Sequence, residues 1–239
     1  MQTTPQGWKI IDGDAGVLSF SYKFAAEGQA NCFTARLAEG GLMVISPPRG
    51  IDEAAIADLA SFGEVQAIVA NNGYHHLGVG RWRELFPAAR CFAAPGAATR
   101  IAKKSKDAGT LEPLAALQPL LGEDVGVIEA PASRCGETWA WAKIAGGYAW
   151  FASDVLANME LPKSFVIGTL FKLSKSAPGY KVFNLATKFI LANKKLALGT
   201  MLEDVRKHPP RVMVPAHGDL LDRATLAAET EQLLAAAIA

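Results

Sequence analysis

The run VQAIVA (65–70), followed at once by NNGYHHLG (71–78), decides how the rest of the chain is read. A short apolar run bounded by turn-forming residues reads as a strand buried on both faces. Two of the four histidines, His75 and His76, stand just beyond its end. A sheet fixes the backbone at such a point and the loop side chains beyond it converge, so functional groups gather there.

Working outward from this strand, the first half reads as strands and then alternating helices and strands. VLSFSY (17–22), CFTARL (32–37) and GLMVIS (41–46) are short, rich in β-branched and aromatic residues, and separated by turns containing glycine. IDEAAIADLASFG reads as a helix, with acidic residues in its first turn, Ile56, Leu59 and Ala60 on one face, and Gly63 as its stop. GRWRELF is a helix ended by Pro87, RCFAA (90–94) a strand, and AATRIAKKS a basic helix.

The second half repeats this order. GVIEA (126–130), TWAWAKI (138–144), GYAWFAS (147–153) and RVMVP (211–215) read as strands, with Trp139 and Trp141 on one face by period-two alternation. A mostly helical, lid-like insertion covers about 155–207, and Leu226, Leu233, Leu234 and Ile238 mark a final helix. Two successive halves of strands followed by helices predict two packed sheets with helices outside: a four-layer αββα sandwich, with 1–239 as one domain.

The totals agree with a globular body. Of 239 residues, 50% are hydrophobic and 20% charged, and the formal net charge is +1, so no global field draws the chain to nucleic acid or an anionic membrane. No run approaches the ~18 apolar residues of a membrane span. Cys32, Cys91 and Cys135 lack disulfide or zinc-finger spacing and read as free thiols. MQTTPQGWKIIDGD has neither a basic start nor an apolar stretch, so the expected location is the cytoplasm.

Three segments share one property, a metal-ligand side chain directly after an apolar strand. They are VQAIVA with His75 and His76, GYAWFAS with Asp154, and RVMVPA with His217. Three imidazoles and one carboxylate make a ligand set for one divalent ion, zinc first, with iron or manganese also suited.

In order and spacing these segments resemble the metallo-β-lactamase superfamily, over roughly 17–221. That resemblance implies an αββα sandwich with metals at the sheet edges. The superfamily's HxHxDH loop falls on NNGYHHLG, with Asn71 and Gly73 at the first two histidine positions, His75 at the aspartate and His76 at the last histidine. The later histidine of a PGHT-like segment falls on Ser133, the bridging aspartate on Asp154 and the final histidine on His217. The early aspartate falls near Ser46. Every position of the first metal is lost, whereas every position of the second keeps a ligand type. The resemblance therefore implies a degenerate site for one metal, held by His75, His76, Asp154 and His217.

The chemistry expected of such a site is hydrolysis of a small-molecule ester, lactone, thioester or phosphoester by a metal-activated water. Asp154 would bind the ion and orient the water, and Asn71, Asn72 and Tyr74 would donate to the oxyanion. Asp219 would fix an imidazole tautomer or else start the last helix. Two other classes stay open, a metal-free relic of the fold that binds a ligand and an iron-dependent oxidoreductase.

Ordinary roles stand beside these. His75 and His76 suit helix capping, Asp154 suits the N-cap of a helix over DVLANMEL, and Ser133, Cys135 and His208 suit loops. The segment 164–202 is rich in Phe, Leu and Lys, with Phe183, Ala186, Phe189 and Ile190 on one helical face. It reads as a core-packing helix with a solvated basic side, as a lid drawing an anionic substrate, or as a membrane-surface helix. GVGRWRE lacks the third glycine and the lysine of a phosphate-binding loop.

Overall fold

The computed structural model describes residues 1–23 and 28–239. VQAIVA forms the strand Val65–Ala70, sixth in an eight-stranded sheet whose spatial order follows the chain, from Gln2–Thr3 to Glu112–Pro113. The first five strands pair antiparallel, and from Leu42–Ile45 onward the pairing is parallel. A five-stranded sheet runs Leu221–Asp222, Pro210–Val214, Gly147–Phe151, Thr138–Ile144, Val125–Glu129.

Three apolar clusters account for four layers. Ala67 and Val69 join Phe33, Phe92, Ala140, Phe151 and Val214 in the core between the sheets. Ile68 and Ala70, pointing the other way, pack with Leu59, Trp82 and Ile101 from helices Glu53–Ala60, Val79–Leu85 and Pro95–Lys104. Alternation divides the second sheet likewise. Ala140 and Ala142 enter the central core, while Trp139 and Trp141 face outward onto Leu198, Met201 and Leu234 of helices Lys194–Lys207 and Leu226–Ile238. The expected αββα sandwich is the observed fold.

Local signals act as their chemistry requires. Asp52 caps Glu53–Ala60 by accepting from the Ala55 N–H at 2.7 Å, and Gly63 takes a φ of +148° just after the helix. Several expectations need correction. DVLANMEL is no helix, because Leu156–Met159 pairs with Gly179–Val182 in a third, two-stranded sheet. Asp154 is therefore no N-cap, and Asp219 does not start the last helix, whose N-cap is Thr225. His208 lies in a loop as expected, but half-buried. It stacks on Trp141 at 3.7 Å between centroids and meets Asp204 at 3.2 Å.

The basic segment divides in two. Helix Lys194–Lys207 packs in the core through Ala197, Leu198, Met201, Leu202 and Val205. Helix Phe165–Leu173 buries only Gly168, so the core-packing reading fails there.

Parallel pairing positions the site. Phe151 lies beside Val214, so the chain leaves Gly147–Phe151 toward Asp154 and Pro210–Val214 toward His217 at the same edge. In the other sheet Ile45 lies beside Val69, which brings Ser46 close to the loop 71–78. The two edges are tied by Asn31, whose Nδ2 donates to the carbonyls of Pro215 and Gly218 at 2.8 Å each.

Candidate metal centre

His75, Asp154 and His217 meet at these edges as a group able to hold a metal ion. Oδ1 of Asp154 lies 3.2 Å from Nε2 of His75 and 3.2 Å from Nε2 of His217, and the two Nε2 atoms are 3.3 Å apart. Zinc bonds of about 2.0–2.1 Å in a tetrahedral set separate ligand atoms by about 3.3–3.4 Å. The three atoms thus match one face of such a tetrahedron. Asp154 is buried, and among the described residues no donor is aligned with its Oδ1. A buried carboxylate oxygen without a donor costs stability unless a cation completes it. The donor set and its spacing both fit a divalent ion.

Each ligand is held from behind. Oδ2 of Asp154 accepts from Nδ2 of Asn72 at 2.9 Å, which turns Oδ1 to the imidazoles. Nδ1 of His217 donates to the Gln29 carbonyl at 3.0 Å, leaving Nε2 as the coordinating nitrogen. That carbonyl does the work expected of Asp219, whose backbone N–H donates instead to Asn158. Nδ1 of His75 lies 3.3 Å from Oγ of Ser46, and Ser46 in turn 3.4 Å from the Tyr22 hydroxyl. Ser46 and Ser153 both take positive φ, 57° and 52°, at strand ends that border the site. Such backbone strain collects where geometry serves function.

His76 stands outside the group. Its imidazole, 6% exposed, turns beneath the neighbouring helices, where Nδ1 lies 2.9 Å from Oγ of Ser105. Burial, and next the Arg100 charge, lower its pKa. The expected four ligands are three, because the loop turns adjacent residues in opposite directions. Asn72 causes that turn, its Oδ1 accepting from the N–H of Tyr74 at 2.7 Å and of His75 at 3.0 Å.

The asparagines also differ from expectation. Both are fully buried. Asn71 gives Nδ2 to Oγ of Ser153 at 2.6 Å, and Asn72 divides its Nδ2 between Asp154 and Glu137. Both amide nitrogens thus have partners within the protein. Tyr74 is exposed at the cavity mouth, with the Arg100 guanidinium 4.1 Å above its ring.

Sequence reasoning missed Glu137. This carboxylate is fully buried, accepts from Asn72 at 2.7 Å, and takes the Asp154 backbone N–H at 2.7 Å. Its signal was a lone acid opening the apolar strand TWAWAKI. Burial, then the neighbouring Asp154 charge, push its pKa well above the carboxylate range. Burial acts on Asp154 in the same direction, but His75 and His217 outweigh it and hold that carboxyl well below its ordinary value. His217 is raised although burial opposes it, because Asp154 favours the imidazolium. Ser133 and Cys135 are loop residues, as expected. Oγ of Ser133 accepts from the N–H of Glu137 at 2.8 Å, and burial pushes the Cys135 thiol up to about 12.

The ligand group opens into a cavity of ≈ 760 Å³. Phe183, Ala186, Phe189 and Ile190 form its apolar wall, as their shared helical face predicts, and Lys23 and Arg49 bring positive charge.

No protein-family profile and no curated protein matches the chain. Solved structures do. The DIM-1 metallo-β-lactamase superposes with a TM-score of 0.64 at 11% identity, over 99% of this chain and 100% of that one. The metallo-β-lactamase from Pontibacter korlensis gives 0.56 at 14% identity, over 92% and 94%. A fragment of diflavin flavoprotein A 5 from Nostoc sp. gives 0.59 at 12% identity, over 98% of each chain. At these identities the likeness concerns architecture: the chain has the metallo-β-lactamase fold.

Proposed function

We infer that this chain is a metal-dependent hydrolase with a single cation between His75, Asp154 and His217. Its substrate is a small molecule with an apolar body and an anionic group, cleaved at an ester, lactone, thioester or phosphoester bond. The observation that carries this reading is the convergence of Oδ1 of Asp154 and Nε2 of His75 and His217 at tetrahedral spacing.

A divalent ion bound there supplies a Lewis acid and lowers the pKa of a coordinated water toward neutrality. The chain's own residues do the rest. Asn72 and Glu137 hold Asp154 so that one oxygen faces the ion. Gln29 and Ser46 fix the ring orientations of His217 and His75. Lys23 and Arg49 attract the anionic group, Phe183 and Ile190 exclude water, and Tyr74 at the mouth orients the substrate.

Zinc-reconstituted protein assayed on aryl esters, lactones, thioesters and phosphodiesters tests the reading. Turnover of one class, lost in Asp154→Ala together with the zinc, is expected. Stoichiometric zinc without turnover of any class would make the chain a ligand-binding relic.

A second reading rests on the donor set itself. Two histidines and one carboxylate are also the facial triad of non-haem iron oxygenases. One of the matched folds is a diflavin flavoprotein. Iron retained through purification, in preference to zinc, would favour redox chemistry.

A further inference from the structure

Helix Phe165–Leu173 carries an apolar face that stays exposed among the described residues. Phe165 is 87% exposed, Val166 75% and Leu173 77%, with Leu170 at 49%. These positions fall on one side of the helix, and Ser164 caps its start by accepting from the Ile167 N–H. Phe189, on the cavity wall, adds another exposed ring. Clustered large apolar side chains in water mark a surface built for a second phase or a partner.

Charge selects between them. Residues 161–202 contain seven lysines and no acidic residue, in a chain whose formal net charge is +1. Lys163, Lys172 and Lys175 are exposed around the apolar face itself. A second copy docking here through the same face would set these lysines against their own equivalents, which disfavours self-association. Apolar side chains ringed by lysines match a layer with a hydrocarbon interior and anionic headgroups. Among the described residues no helix is long and apolar enough to cross a membrane, so the contact proposed is interfacial.

We propose that this face docks the protein onto anionic lipid surfaces, with Phe165, Val166, Leu170 and Leu173 entering the headgroup boundary and the lysines meeting the phosphates. The docked helix is joined to the metal group through two ring contacts. Phe171 lies 5.7 Å from Phe183, and Phe183 lies 6.0 Å from His217. The docking face is thus two ring contacts from the ligand group.

Flotation of the full chain with vesicles of phosphatidylcholine, with and without phosphatidylglycerol, tests this. Binding that depends on phosphatidylglycerol and weakens with salt is expected. Phe165→Ser with Leu173→Ser should weaken it about tenfold or more, and Lys172→Gln or Lys175→Gln about fivefold each. Thermal melts of these variants should match the parent, since the side chains touch little. Absence of flotation, or flotation indifferent to phosphatidylglycerol, overturns the proposal. So does a dimer that the serine variant converts to monomer, which would assign the face to a second copy.

Discussion

The metal edge and the helix Phe165–Leu173, linked through the rings of Phe171, Phe183 and His217, are built in opposite ways. At the edge, each ligand has a hydrogen-bond partner behind it, and the polar atoms are held within a network of short contacts. On the helix, side chains have few partners and what is unsatisfied is apolar area. Rigid polar geometry suits coordination, which tolerates errors of a few tenths of an ångström. Loosely held apolar surface suits contact with something deformable.

The sharpest way to break this contrast is at the ligands. Asp154→Ala or His217→Ala should weaken zinc binding by about a hundredfold or more, whereas His76→Ala should leave it unchanged, as read by competitive chelator titration. Next comes Gly218, the residue after His217. It takes a φ of +93°, and a Cβ there would sit 1.9 Å from the Asn158 carbonyl oxygen. Gly218→Ala should cost about 3 kcal/mol or more in chemical denaturation and disturb zinc binding with it.

Asn72→Ala removes donors to Asp154 and Glu137 and the turn that separates His75 from His76. It should cost about 3 kcal/mol and reduce zinc affinity about ten- to a hundredfold. On the helix, Phe165→Ser should change stability by no more than about 0.5 kcal/mol.

A pH series sharpens the same comparison. In metal-free protein the depressed pKa of Asp154 contributes stability that is present above the usual carboxylate value and lost as pH falls through the folded one. The raised pKa of His217 contributes stability that is present below the usual imidazole value and lost as pH rises through the folded one. Both contributions are present together between about pH 4 and 6.5. Because the raised pKa of Glu137 lowers stability above the usual carboxylate value, metal-free stability should peak toward the acid end of that window. Zinc should restore what is lost at higher pH, because ligation requires neutral imidazoles.

The layers were legible because period-two and period-3.6 patterns report which face is buried, and TWAWAKI split its tryptophans and alanines between two cores as the alternation implied. Strand ends likewise located His75, Asp154 and His217. Side-chain direction within a turn was not legible. His75 and His76 are neighbours in sequence, and only the Asn72 side chain bonding inside the loop sends them apart. Glu137 was hidden for a related reason, since its partners Asn72 and Asp154 are 65 and 17 residues away. Leu156–Met159 was hidden by an aspartate that imitates a helix cap and by a pairing partner beyond an intervening helix.

Anomalous scattering from crystals of zinc-loaded protein, collected at the zinc edge, tests the central claim most directly. One peak in contact with Nε2 of His75, Oδ1 of Asp154 and Nε2 of His217, with His76 remote from it, is the predicted result. A peak coordinated by His76, or stoichiometrically zinc-free crystals after zinc supplementation, would contradict it.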